Sequence, residues 1–147
     1  MASQDFTTAF LVDQSPEEAV AAINDVRGWW SGDIEGTTDE LDAEFTYRYR
    51  DIHYSRQRIT ELVPGRRVTW EVLDASLNFT DDPHEWTGTE ITFDVSPQGH
   101  RTEVRFTHRG LVPAVDCYDQ CSSAWGFFID GSLRRLITTG RGGPDPE

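Results

Sequence analysis

Lysine is missing from this chain: its 13 basic residues are all arginine, set against 26 acidic ones for a net charge of −13. Without a side-chain amine there is no Schiff-base chemistry. The arginines are scattered, as at Arg48, Arg50, Arg56 and Arg58. They form no cluster able to displace counterions from phosphates, so nucleic acid is not an expected partner. Cysteine is scarce as well. Cys117 and Cys121 stand alone, too few for a disulfide framework, and read as buried free thiols. No apolar run approaches the roughly 18 residues of a membrane span, so membrane insertion is not expected. Met1 to Asp5 carries neither a basic start nor a following apolar stretch. The expected compartment is the cytoplasm.

What the chain does have is aromatic surface. Five Trp and eight Phe among 147 residues supply a core for a single domain over 1–147. Residues 141–147, rich in Gly and Pro, are expected as a flexible tail.

The order of elements carries more information. Phe6 to Val12 reads as a strand. Ser15-Pro16-Glu17-Glu18 then combines a capping residue, a proline suited to the first helical position and the glutamate of a capping box. Ala19, Val20, Ile23 and Val26 follow at helical spacing. Gly28 is expected to end that helix, with a second short turn at Trp29-Trp30-Ser31-Gly32. From Asp33 to Leu111 the period changes to two: Phe45, Tyr47 and Tyr49 share a face, as do Val68, Trp70 and Val72, and Val104, Phe106 and His108. A final helix is expected over 115–139, with Tyr118, Cys121, Trp125, Phe128, Ser132 and Leu136 as its apolar stripe and Gly140 as its stop. Strands and helices that segregate in this way mean an α+β domain. About six antiparallel strands would be covered by one helix about 37 Å long, at 1.5 Å per residue.

Several local phrases resemble the SRPBCC (START-like, helix-grip) superfamily, in the branch of the C-terminal domain of the activator of heat-shock-protein-ninety ATPase. They are Trp29-Trp30 after the first helix and Ile59-Thr60-Glu61-Leu62-Val63-Pro64 ahead of Val68-Thr69-Trp70. Thr89 to Phe93 follows, ahead of Thr102 to His108, and then Trp125 with Gly126 to Gly140. The resemblance implies a curved antiparallel sheet wrapped round the C-terminal helix over an internal cavity. It covers only one domain of the eukaryotic cochaperone, so a chaperone partner is not expected.

Strand parity nominates Tyr47, His53, Gln57, Trp70 and His108 for the cavity walls, the final helix adds Cys121, Trp125 and Phe128 from above, and Trp29 and Trp30 are further wall candidates. The expected occupant is a small hydrophobic or aromatic molecule, with no catalytic residue, metal or cofactor assigned. The alternatives are acid–base chemistry by His53 and His108 on a hydrophobic substrate, in the manner of a cyclase or hydrolase, and a chaperone-regulating module. Zinc on His108, Cys117 and Cys121 lacks an obvious fourth ligand. An exposed edge strand leaves a homodimer open.

Overall fold

In the computed structural model, which describes residues 5–30, 32–78, 80 and 83–143, the period-two segments form one antiparallel sheet of seven strands. These are β1 (Phe6–Val12), β2 (Asp33–Gly36), β3 (Glu44–Tyr49), β4 (His53–Val63), β5 (Arg67–Leu77), β6 (Glu90–Gln98) and β7 (Arg101–Arg109). Their spatial order is β1-β7-β6-β5-β4-β3-β2, so β1 reaches across to β7 with Phe6 opposite His108. The sequence led to about six strands. The additional one is β2, a four-residue edge strand with no buried residue, which lacks the alternation that marks the others. On the solvent face, exposed arginines pair with carboxylates, as in Arg67–Asp94 at 2.6 Å and Arg109–Glu90 at 3.0 Å. Such pairs contribute little individually.

The two longest strands owe their shape to bulges. Gln57 pairs with Val72 but Arg56 pairs with Asp74, leaving Leu73 as an extra residue on β5. This resets the phase, so Val72 faces the core from one side of the bulge and Ala75 and Leu77 from the other. A second irregularity lies between Ile59 and Glu61. Ile59 is fully buried, whereas Leu62 beyond it is only half-buried.

Helix α1 (Pro16–Asn24) begins with the expected capping box: the Glu18 N–H donates to Ser15 Oγ at 3.1 Å, and the Ser15 N–H to Glu18 Oε1 at 3.2 Å. It ends at Asp25 rather than Gly28, and α2 (Val26–Trp29) follows directly. The Thr38 hydroxyl donates to the Asn24 carbonyl at 2.8 Å, giving this helix-end carbonyl a partner outside the helix.

The C-terminal helix starts at Tyr118 and has three parts without a break: α3 (Tyr118–Trp125), a π-helical segment (Gly126–Leu133) and α4 (Arg134–Thr139). Gly140 ends it in the left-handed conformation at φ 83°. The π-helical segment changes which residues are buried. Cys121, Trp125, Ile129, Leu133 and Ile137, four apart throughout, all reach the core. In a pure α-helix such a stripe drifts by about 40° per step. The wider i→i+5 turn removes much of that drift. Phe128 and Leu136, expected in the stripe, are therefore only partly buried. Ser132 stays buried and donates to the Trp29 carbonyl at 2.7 Å. Of the segment expected as a tail, residues 141–143 run back over this region, where the Gly143 N–H donates to Ser132 Oγ at 3.0 Å.

Candidate functional site: an aromatic cavity

All five tryptophans are buried, none more than 4% exposed, and their rings form one connected cluster. Trp29 and Trp30 come from the end of α2, Trp70 from β5, Trp125 from α3 and Trp86 from the β5–β6 connection. Trp29 stacks on Trp70 with centroids 6.2 Å apart and planes 8° apart. Trp30 lies flat on Tyr47 at 3.8 Å, and Trp86 on Trp125 at 5.7 Å. The cluster divides into a packed half and an open half. Trp29 and Trp70 are sealed among Phe45 and Phe93, whereas Trp30, Trp86 and Trp125 border a cavity of about 320 Å³.

Six of the ten nominated residues meet at that cavity: Trp30, Tyr47, His53, Cys121, Trp125 and Phe128. Trp29, Gln57, Trp70 and His108 do not line it. Gln57 donates to Ser55 Oγ, and its Oε1 has no partner among the described residues. Tyr49, Ile52, Gln120, Ala124 and Phe127 complete the rim, and Ile52 and Phe127 are exposed there. Tyr49 shares its face of β3 with Tyr47, a signal already present in the alternation. All 13 arginines are described, and none lines the cavity. Arg50 sits over the Tyr49 ring, 5.3 Å from its centroid, without joining the wall.

The two histidines play different parts. His108 is completely buried, and both its nitrogens are engaged: Trp125 Nε1 donates to Nδ1 at 3.1 Å, and Nε2 lies 2.9 Å from Thr89 Oγ1. Burial, aided by the nearby His53, lowers its pKa from 6.5 to about 3. His53 opens β4 and lies edge-on to Tyr47 at 5.0 Å and to Trp86 at 4.5 Å. Its Nε2 is buried with no hydrogen-bond partner among the described residues. Burial lowers its pKa to about 3 also. Both rings are thus neutral at physiological pH.

Trp86 stands between them, 4.5 Å from the His53 ring and 4.7 Å from that of His108, nearly perpendicular to each. It was not among the nominated residues. The available signal was a single large apolar residue in the otherwise polar run Asp81-Asp82-Pro83-His84-Glu85, which has nowhere favourable to go but inward. Asp81 and Asp82 lie outside the described residues. The neighbouring Glu85 anchors Trp86. Its carboxylate accepts the Asp116 N–H at 2.6 Å and the Cys117 N–H at 3.1 Å, just ahead of α3. Donors at a helix start favour a carboxylate.

The two thiols are free and buried. Their mutual hydrogen bond lowers Cys117 and raises Cys121, and burial raises Cys121 further. Cys121 is thus held protonated, and His108 is engaged by Trp125 and Thr89, so the structure offers no thiolate–imidazole pair between them. Among the described residues no three His, Cys, Asp or Glu side chains gather as a metal site, and no helix is long and apolar enough to cross a membrane.

An antiparallel sheet covered by a long C-terminal helix, with a cavity between them, is the helix-grip architecture. Among solved structures the chain is similar to the Aha1 dimer from Colwellia psychrerythraea, at 26% identity and a TM-score of 0.75 over 94% of this chain and 98% of that one. The resemblance to the Aha1-like branch of the SRPBCC superfamily therefore holds in the structure as well as in the sequence. DynU16, a protein of the dynemicin biosynthetic locus, shares the fold at 15% identity and a TM-score of 0.68, covering 96% of this chain and 49% of that one. CalU16 from Micromonospora echinospora does so at 14% and 0.63, over 92% and 76%. No family model matches the chain, and no curated protein does.

Proposed function

We propose that this protein binds a small apolar aromatic molecule in the cavity beside α3, to sequester or present it in the cytoplasm. The observation that carries this reading is the open half of the tryptophan cluster. Elsewhere the aromatic rings are packed against one another, but Trp30, Trp86 and Trp125 border unfilled space of about 320 Å³. Apolar walls with a few polar groups are how ligand sites are generally built. Each Å² of apolar surface removed from water contributes about 25 cal/mol.

Acid–base turnover gains no support from the two histidines. General catalysis is most efficient with a pKa near the working pH, whereas burial holds both near 3. His108, moreover, has no nitrogen left for a substrate. A homodimer through an edge strand is compatible with binding, and light scattering on the purified protein checks it.

The test of the binding reading is native mass spectrometry of protein purified from its own host, set against the denatured mass. A stoichiometric aromatic adduct released on denaturation is the expected result. An apo mass, with no uptake of any added aromatic compound, overturns the reading.

A further inference from the structure

The two edges of the sheet are unlike. At one lies β2, which carries Asp33 and Glu35 and has the carbonyls of Ile34 and Gly36 taken by Arg27 Nη2 at 3.1 and 2.9 Å. At the other lies β1, Phe-Thr-Thr-Ala-Phe-Leu-Val, the one strand of the seven described without a charged side chain. Charge, proline and bulges are the usual guards of a sheet edge. β1 has none of them, and its register with β7 runs from Phe6–His108 to Val12–Thr102 without a shift.

We infer that β1 is the docking surface for a second copy of this chain, which adds its own β1 antiparallel about a two-fold axis at Ala9. No residue of β1 lines the cavity, so this surface and the ligand site stand or fall separately. Two hydrogen bonds settle which backbone groups are free. Thr7 Oγ1 donates to the Phe106 carbonyl at 2.9 Å, and the Phe6 N–H donates to the Leu111 carbonyl just past β7 at 2.8 Å. Phe106, opposite Thr8, therefore turns its carbonyl toward β1. Phe6, Thr8, Phe10 and Val12 accordingly bond inward to β7, and alternation points the N–H and C=O groups of Thr7, Ala9 and Leu11 outward. Among the described residues these outward groups have no backbone partner beyond the sheet.

Charge selects the partner. Each copy carries a net charge of −13, so two copies meet best where no like charges are opposed. β1 brings none to the contact, and the acidic groups around it are already engaged. Asp5 accepts the Gly110 N–H at 3.0 Å, Asp13 pairs with Arg101 at 3.3 Å, and Asp130 accepts from Thr8 Oγ1 at 2.9 Å. A basic strand from another protein would find no carboxylate on β1 to recognise it. Shape agrees with self-pairing. With the axis at Ala9, that residue faces Ala9 of the second copy, and Thr7 of each copy faces Leu11 of the other. Small side chains then meet at the centre, and Leu11, 41% exposed in the single chain, is laid over a threonine. Each facing pair exchanges two backbone hydrogen bonds.

The experiment is sedimentation velocity of the full chain from low to high micromolar concentration, on wild type, Ala9→Glu, Ala9→Arg and Ile34→Pro. The wild type is expected to reach twice the mass of one chain. Ala9 is exposed, and either charge placed there opposes its own copy across the axis. Each Ala9 variant alone should therefore dimerise at least about tenfold more weakly, and an equal mixture of the two should recover the dimer. Ile34→Pro, on the other edge, should dimerise as the wild type does. Hydrogen exchange of the wild type gives the same answer without a substitution: the amides of Thr7, Ala9 and Leu11 should slow as concentration rises. A wild type that stays monomeric, Ala9 variants that dimerise as well as the wild type, a mixture that fails to recover the dimer, loss of the dimer in Ile34→Pro, or exchange at those amides that ignores concentration overturns the inference.

Discussion

The indole N–H of Trp125 donates to Nδ1 of His108 across 3.1 Å, and an indole nitrogen can only donate. Nδ1 therefore carries no proton and Nε2 does, which makes Nε2 the donor to Thr89 Oγ1 at 2.9 Å. The Thr89 hydroxyl passes its own proton to the Trp86 carbonyl at 2.6 Å. A single neutral imidazole thus ties together Trp125 and Trp86, the two stacked rings of the cavity wall.

Replacing His108 by Phe keeps the ring but orphans the Trp125 N–H. We expect this substitution to cost about 2 kcal/mol, the penalty for a buried donor left unpaired. Urea denaturation of the two proteins side by side measures it. An unchanged midpoint would show that the Trp125–His108–Thr89 chain contributes nothing to stability.

The same burial makes the fold sensitive to acid. The pKa values of His53 and His108 fall from the usual 6.5 to about 3. Between those values the unfolded chain takes up protons that the folded chain refuses. The contribution is therefore whole above pH 6.5 and is lost as pH falls toward 3. At pH 5 each histidine accounts for about 2 kcal/mol of lost stability. Denaturation midpoints at pH 7.5 and pH 5 should show the drop, and His53→Phe should remove about half of it. A stability that stays flat across this range would contradict the burial of both rings.

Glu85 links the β5–β6 connection to the start of α3 through the Asp116 and Cys117 amides. Glu85→Ala is expected to lower stability by about 1 kcal/mol, the ordinary worth of a helix cap. Hydrogen exchange should also rise at the amides of Asp116 and Cys117 and around Trp86. If exchange rises nowhere near Trp86, the carboxylate is not what anchors that ring.

Much of the fold was legible because local chemistry and global packing agree. The capping box of Ser15 and Glu18 and the alternation of Val104, Phe106 and His108 each specify an element that the structure contains. The features that escaped have identifiable causes. β2 is too short and too polar to show a period. The π-helical turn is written only in the strict four-residue spacing of Cys121, Trp125, Ile129, Leu133 and Ile137, which helical reasoning at 3.6 residues per turn overlooks. At the site, parity identified which faces turn inward but not how deep each residue sits. His53 at the start of β4 lines the cavity, whereas Gln57, of the same parity four residues on, lies in the packed layer. Trp86 arrives from a connection rather than a strand, where parity gives no guidance.

The central claim is that the space bordered by Trp30, Trp86 and Trp125 is where a ligand binds. Ala124 lies on its rim and is itself exposed, so Ala124→Trp obstructs the mouth without disturbing the core. The decisive measurement is calorimetric titration of wild type and Ala124→Trp with naphthalene at several temperatures. The account expects one equivalent bound by the wild type, a negative heat-capacity change from apolar burial, and binding weakened at least about tenfold by the obstruction, a shift of about 1.4 kcal/mol. No binding by the wild type, or equal binding by both proteins, would contradict it.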